Sequence, residues 1–367
     1  MPLVFVNLLQ YTGTKGGIET YAKELYRSIG ELGSGLDFVG YASRELAEKD
    51  TSWFPGDIIQ SKISGENRIT WALGELFAVS SAARKAKADL IHGPAMFGPL
   101  RSRMPVVISI HDLLYFSHPE LMQTRLFTEP VKIMERLGAA NSTRIITISE
   151  YSARAIRKYL HYPNDRLDVI PLAGRTSGLP TGSLTTERRS DLFIAIGQRS
   201  PYKNFETVVR AWSFIPEAER PTLVITGSQG ADPLVPLVKE LGLERWVDLK
   251  GWVSVRELGE LFGTATAFID STLATGFSLP ALEAMMIGLP VIMADTEVFR
   301  EVGADAADYF TAGDPESLGR AVLALASSPS RQKKLSLLGR DRAAQFSWQR
   351  VAEDTVASFR TALAAPR

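Results

Sequence analysis

The 367-residue chain contains no cysteine. Disulfides, a thiolate nucleophile and a cysteine-ligated zinc are thereby excluded. Histidine is scarce, with four in all, and no Asp-x-Asp triplet occurs. No metal held by such a carboxylate pair is expected, and no other cofactor. Net charge is missing too, since 41 Lys plus Arg balance 41 Asp plus Glu. A chain built to hold nucleic acid normally carries a basic excess, so no nucleic-acid partner is expected. No apolar run approaches the ~18 residues of a membrane span. The opening Met-Pro-Leu-Val-Phe-Val-Asn lacks the basic and apolar regions of a signal peptide. The expectation is a cytoplasmic protein, with peripheral contact at the inner membrane face left open.

What the chain does have is 45% hydrophobic residues over a length that exceeds a single core. Two domains are expected. Residues 3–9 read as a strand, and 18–32 as a helix with Tyr21, Leu25, Tyr26 and Ile29 on one face. Strand patterns recur at 36–41, 90–93, 106–111, 144–149 and 167–171, with helical spacing at 69–88, 130–140 and 150–160. Residues 173–189 are rich in Gly, Ser, Thr and Pro and read as a linker. The alternation restarts with strands at 192–196, 222–226, 247–249, 267–270 and 290–294, helices between and after them, and a last helix from 346. Such alternation implies mostly parallel sheets with helices on both faces. The expected class is α/β, with two Rossmann-like doubly wound domains facing across a cleft. Ligands of such sheets bind beyond the carboxyl ends of the strands. The residues just after strands are therefore the candidates.

Four segments stand there. The loop Gln10 to Glu19 carries Gly16 and Gly17 before a helix. Glycines admit a close backbone approach and a helix N-terminus favours an anion, but a plain tight turn reads the same way. The loop has neither G-x-G-x-x-G nor a Walker A Lys. His111 ends the second segment, Ser109-Ile110-His111-Asp112. It is either a partner for a sugar hydroxyl or structural, and His92, His118 and His161 read as structural. The third, Gly197 to Asn204, holds Arg199 and Lys203, two cations able to clamp a diphosphate unless the turn is merely solvated. In the fourth, Thr275-Gly276-Phe277-Ser278-Leu279-Pro280 opens a helix in which Glu283 lies one turn on. Free amides of Gly276 to Leu279 suit a phosphate, and Glu283 suits a ribose diol.

The fourth segment resembles the retaining glycosyltransferases of family 4, whose motif reads roughly E-G-F-G-L-P-x-L-E-A-M-x-x-G-x-P-V-I. Residues 276–292 match it nearly throughout. The Lys15-Gly16-Gly17-Ile18-Glu19 loop, residues 108–112 and 146–152, the turn Gly197 to Asn204, the stretch Leu249 to Val253 and Phe346-Ser347-Trp348 are similar to other family segments. The resemblance implies the GT-B fold. Residues 1–172 would be the acceptor domain and 190–345 the nucleotide-sugar donor domain, with helix 346–367 packing back on the first. It implies that Gly16 and Gly17 approach the donor phosphates and that Lys203 binds the diphosphate. Glu283 would hold the ribose, His111 would lie near the sugar, and Val253 would belong to the loop facing the base. Thr275 departs from the pattern, standing where the family has a Glu that contacts the donor sugar. Gln198 stands where some members have the clamp Arg, and Arg199 follows one residue later.

The implied activity is transfer of a hexose or deoxyhexose from a GDP- or UDP-linked donor to a glycan or lipid-linked acceptor in surface polysaccharide assembly. It would proceed with retention and without metal. No paired carboxylates of the retaining-glycosidase kind are evident, so a front-face displacement is expected. A sugar-nucleotide 2-epimerase and a non-catalytic nucleotide- or glycan-binding partner remain as rival readings. The acceptor is expected on loops near residues 41–67 and 95–103, the latter with exposed apolar residues beside Arg101 and Arg103.

Overall fold

The computed structural model describes residues 1–13, 16–122, 125–175, 189 and 191–365. The chain forms two compact units, Met1–Leu172 with Ser347–Arg367, and Ala173–Phe346. The proposed linker falls mostly on 176–188, which lie outside the described residues.

The first unit is built on a seven-stranded sheet. Its strands are β1 (Leu3–Leu8), β2 (Asp37–Ala42), β3 (Asp57–Gln60), β4 (Leu90–Gly93), β5 (Val106–Ile110), β6 (Arg144–Thr147) and β7 (Leu167–Val169). They lie in the order β3-β2-β1-β4-β5-β6-β7, and all pairings are parallel. Helices on both faces bury the central strands completely, which is why β5 reads Val-Val-Ile-Ser-Ile with no alternation. Phe5, Leu9, Ile91, Ile108, Ile110 and Ile145 form the middle of the core.

The C-terminal helix Trp348–Ala364 belongs to this core. Ser358 Oγ donates to Asp168 Oδ2 at 2.7 Å, and an Arg360 terminal nitrogen donates to the Ser34 carbonyl at 2.8 Å. Phe359 meets the His92 ring edge-on with centroids 4.8 Å apart. His92 itself is fully buried. It contacts the Tyr26 hydroxyl through Nδ1 at 2.5 Å and Ser109 Oγ through Nε2 at 3.2 Å. Burial pushes its pKa down to about 3, so it is a neutral core residue.

The second unit repeats the plan with β8 (Leu192–Ile196), β9 (Thr222–Ser228), β10 (Val247–Gly251), β11 (Ala267–Asp270), β12 (Val291–Ala294) and β13 (Asp308–Phe310). Their order is β10-β9-β8-β11-β12-β13, again all parallel. Among the described residues, five of its helices start on side-chain caps. Ser254 and Glu257 form a reciprocal capping box, and Asp314 caps a helix that begins at Pro315.

The structure departs from the sequence pattern in two places that bear on function. Residues 69–88 do not form one α-helix. Arg68–Leu73 and Val79–Lys85 are α-helical, and Gly74–Ala78 between them is a π-turn. Gly74 sits so close to the core that a Cβ would come 2.7 Å from Ile63 Cδ1. The π-turn swings Glu75 inward until it is fully buried. The second departure is the loop after β4. Ala95, Phe97 and Pro99 are buried, not exposed, because Phe97 packs on Trp71 with centroids 5.6 Å apart. Of the features expected there, only the exposed Arg101 and Arg103 remain.

Glu75 carries a prediction. The carboxyl is fully buried; the Asn7 side chain favours its charged form, but burial outweighs that and raises the pKa from 4.5 to about 8. Between those values the folded state holds a proton that the unfolded chain has released. Stability should therefore fall as pH rises from about 5 to about 8, by on the order of a few kcal/mol. Glu75→Gln keeps the neutral shape and removes that slope. Melting temperatures at pH 5.5 and pH 8 should lie closer together in Glu75→Gln than in the parent. An unchanged difference would mean that Glu75 ionises normally.

Candidate functional site

In the second sheet the strand order reverses between β8 and β11, so the loops that follow those strands meet at a topological switch point. Gly197 ends β8 with φ near +148°, a conformation that glycine adopts readily. A Cβ there would lie 3.5 Å from the Lys203 stem, which folds across it. The chain then turns through Pro201–Lys203 to a left-handed Asn204 and enters the helix Phe205–Ser213. From the other side, the β11 loop is tied to this turn. Ser271 Oγ donates to the Lys203 carbonyl at 2.7 Å, and the Leu273 amide donates to the Tyr202 carbonyl at 2.8 Å.

Asp270, at the end of β11, organises the rest. Its Oδ1 accepts from the Thr272 hydroxyl at 2.5 Å, and its Oδ2 accepts from Ser278 Oγ at 2.6 Å. Lys203 Nζ donates to Thr272 Oγ1 at 3.3 Å. Ser278 caps the helix Leu279–Met286 by accepting from the Ala281 amide. One buried carboxylate thus joins the Lys203 ammonium to a helix N-terminus. The amides of Gly276, Ser278 and Leu279 have no partner among the described residues. Free amides at a helix start, linked in this way to a cation, suit an anion. Asp270 and Thr272 were not singled out in the sequence, since each reads there as an ordinary strand-end residue.

Arg199, the second candidate for the phosphate clamp, has its donors engaged within the protein. Its guanidinium is buried against Asp232, with a terminal nitrogen 2.7 Å from Oδ2 and Nε 3.0 Å from the same oxygen. The remaining N–H groups go to the carbonyls of Gly197, Thr226 and Ile225. All five donors are spent on fastening the β8 loop to the end of β9.

Glu283 is not open to solvent. Arg175 holds it through Nε at 2.7 Å and a terminal nitrogen at 3.0 Å, with side chains only 25% and 3% exposed. The backbone before Arg175 lies tight on the same helix, where a Cβ on Gly174 would meet Met286 Sδ and Glu283 Cγ. Arg175 escaped sequence reasoning because it sits in a composition that reads as linker. Thr275 closes a local turn, its hydroxyl donating to the Phe277 carbonyl at 2.7 Å. Phe277 is buried, and Val253 is half-buried in the loop after the edge strand β10.

The first unit places its candidates at its own switch point, between β1 and β4 and at the end of β5. Gly16 has φ near +65° with open space around its Cα, and Gly17 begins the helix Gly17–Leu32. Thr14 and Lys15 lie outside the described residues. Glu19 reaches back to accept from the amides of Thr12 and Gly13 at 2.6 and 2.9 Å, which fixes the loop's path.

The His111 carbonyl accepts from Ser152 Oγ at 2.7 Å. That ring stands edge-on to Tyr21, with centroids 4.6 Å apart, and Nε2 has no partner among the described residues. Burial lowers the His111 pKa to about 4, so the imidazole is neutral at pH 7. Near Asp112, Glu135 is buried with both oxygens unpartnered among the described residues. Burial first, and the nearby Asp112 second, raise its pKa to about 9. His118 pairs with Glu120 at the surface, and His161 is the left-handed cap of the helix Glu150–Leu160.

Comparison with known proteins gives the family. Residues 15–173 match the family model "Glycosyltransferase Family 4", and residues 183–342 match "Glycosyl transferases group 1". The chain is 27% identical to O-antigen chain mannosyltransferase B of Escherichia coli, over 76% of each chain. It is 26% identical to the MMP alpha-(1->4)-mannosyltransferase of Mycolicibacterium hassiacum, over 95% of each. Among solved structures, sucrose-phosphate synthase from Thermosynechococcus elongatus superposes with a TM-score of 0.79 at 17% identity, covering all of both chains. Two parallel Rossmann-like sheets and matches to both family models make this chain a family 4 glycosyltransferase of the GT-B fold.

Proposed function

We infer that this enzyme transfers a hexosyl or deoxyhexosyl group from a GDP- or UDP-linked donor to a glycan or lipid-linked acceptor. The observation that carries the donor half is the Asp270-centred arrangement, in which Thr272 and Asp270 link the Lys203 ammonium to the N-cap Ser278 of the helix Leu279–Met286. A diphosphate fits that pair of features. Glu283 would exchange Arg175 for the ribose diol, and Gly16, Gly17 and His111 are the first unit's candidates for phosphate and sugar. A neutral His111 with an unpartnered Nε2 accepts a hydrogen bond from a sugar hydroxyl. The two mannosyltransferase relatives, one of them named for an O-antigen chain, support a hexose donor and surface polysaccharide assembly.

The proposed chemistry is a front-face displacement with retention. The bond from the anomeric carbon to the β-phosphate oxygen breaks as the acceptor oxygen bonds to that carbon on the same face. The acceptor's proton passes to the leaving phosphate. Charge on the leaving group falls on Lys203 and the loop amides, without a metal ion. Thr275 spends its hydroxyl on Phe277 and offers the sugar no carboxylate, which suits a donor short of one hydroxyl.

The test is a melting-temperature screen with GDP, UDP, dTDP and ADP and their sugars, followed by turnover in EDTA with the donor so identified. One nucleotide should raise the melting temperature clearly, by mass action, and turnover should survive the chelator. No shift with any nucleotide would sink the donor-site reading. Turnover abolished by EDTA would sink the metal-free mechanism alone.

A further inference from the structure

The π-turn at Gly74–Ala78 has an outward consequence as well as an inward one. Four residues overshoot one α-helical turn by about 40°, so side chains spaced by four drift around a regular helix. The wider π-turn takes that drift back. Ile69, Leu73 and Phe77 therefore stand in one line, and they are 71%, 52% and 62% exposed. Large apolar side chains concentrated this way signal a surface with a partner. Glu75, turned into the core by the same π-turn, leaves no acidic group on the line.

The border of this stripe is basic. Seven residues on from Phe77, an α-helix returns to within about 20° of it, which places the exposed Arg84 at the stripe's end. The loop carrying Arg101 and Arg103 is fastened alongside. The Leu100 amide donates to the Leu76 carbonyl at 3.1 Å, and Ser80 Oγ donates to the Arg101 carbonyl at 2.5 Å. Both of those arginines are exposed, as is Arg68 at the other end. Residues 68–103 hold six basic residues against Glu75 and Asp89, in a chain with no net charge. A two-fold contact through this face would set one basic border near another. Anionic headgroups would neutralise it.

We propose that the helical face carrying Ile69, Leu73 and Phe77 docks on an anionic lipid bilayer, with Arg101 and Arg103 at the headgroups. The three side chains enter the interface while the helix lies along it. The proposal concerns binding alone and stands apart from the donor chemistry.

Flotation of the intact protein with vesicles of phosphatidylcholine, with and without phosphatidylglycerol, tests it. The parent protein should float with the anionic vesicles. Leu73→Ser/Phe77→Ser should partition at least about tenfold more weakly, as burial of even one such side chain is worth about that factor. Arg101→Gln/Arg103→Gln should lose several-fold on anionic vesicles only. All of these side chains are exposed, so the variants should melt like the parent. Failure of the parent to float, or equal flotation of parent and Leu73→Ser/Phe77→Ser, would overturn the proposal. So would a dimer, seen by light scattering, that Leu73→Ser/Phe77→Ser abolishes, since the face would then belong to a second copy.

Discussion

Lys203→Met should lower kcat by roughly a hundred- to a thousandfold while leaving the fold intact. The side chain's Nζ contacts Thr272 Oγ1 at 3.3 Å, a long hydrogen bond, and its stem lies across Gly197. Methionine keeps that stem packing and removes only the charge. The stability cost should be about 1 kcal/mol, the usual worth of one hydrogen bond, since Lys203 touches the Asp270 network only through Thr272. The catalytic cost is different in kind. In the proposed transfer negative charge builds on the departing diphosphate, and Lys203 is the cation this loop leaves for it, because Arg199 is fully committed to Asp232 and three carbonyls. Removal of one preorganised charge stabiliser typically costs about 2.7–4 kcal/mol of transition-state energy. Steady-state kinetics of Lys203→Met, with a melting curve beside it, decide the matter. Loss of activity matched by loss of folded protein would make Lys203 structural. Normal kcat would move the leaving-group charge elsewhere. Arg199→Met should show the complementary pattern, a lower melting temperature with little change in kcat for the molecules that remain folded.

That contrast shows where sequence reasoning reaches and where it stops. Central strands such as β5 and β8 are legible because burial on both faces forces unbroken apolar runs. The edge strands β3 and β13 were not read, since Asp57–Gln60 is mostly exposed and Asp308–Phe310 is only three residues long. The helix Leu279–Met286 announces itself through Gly276, Ser278 and Pro280, because turn and cap chemistry is local. What a cation does is not local. Arg199 and Lys203 look alike in the sequence, four residues apart, and only the fold brings Asp232 to one and Thr272 to the other. The π-turn was hidden for a similar reason. Residues 69–88 have acceptable helical spacing, and the insertion of Glu75 into the core is a tertiary event.

Arg175→Ala and Glu283→Ala should both destabilise the protein, yet respond to nucleotide in opposite directions. The pair is bidentate, and Glu283 is the deeper partner, 3% exposed against 25% for Arg175. Breaking a buried pair costs about 3–5 kcal/mol, mostly from the charge left uncompensated. Arg175→Ala strands the buried carboxylate and should sit near the upper end. Glu283→Ala leaves a guanidinium that reaches water, so its cost should be about 2–3 kcal/mol. If Glu283 receives the ribose diol, Arg175 competes with the donor for the same two oxygens. Removing Arg175 ends that competition. Nucleotide should then bind Arg175→Ala more tightly than the parent and recover much of its lost stability. Glu283→Ala loses hydrogen bonds to a charged acceptor, about 1.5–3 kcal/mol, and should bind nucleotide at least tenfold more weakly. Calorimetric titration of the three proteins with the nucleotide found by the melting screen reads both effects. Equal affinity in the parent and Glu283→Ala would assign the pair a purely structural task. Weaker binding in Arg175→Ala would instead place the Arg175 guanidinium among the groups that hold the donor.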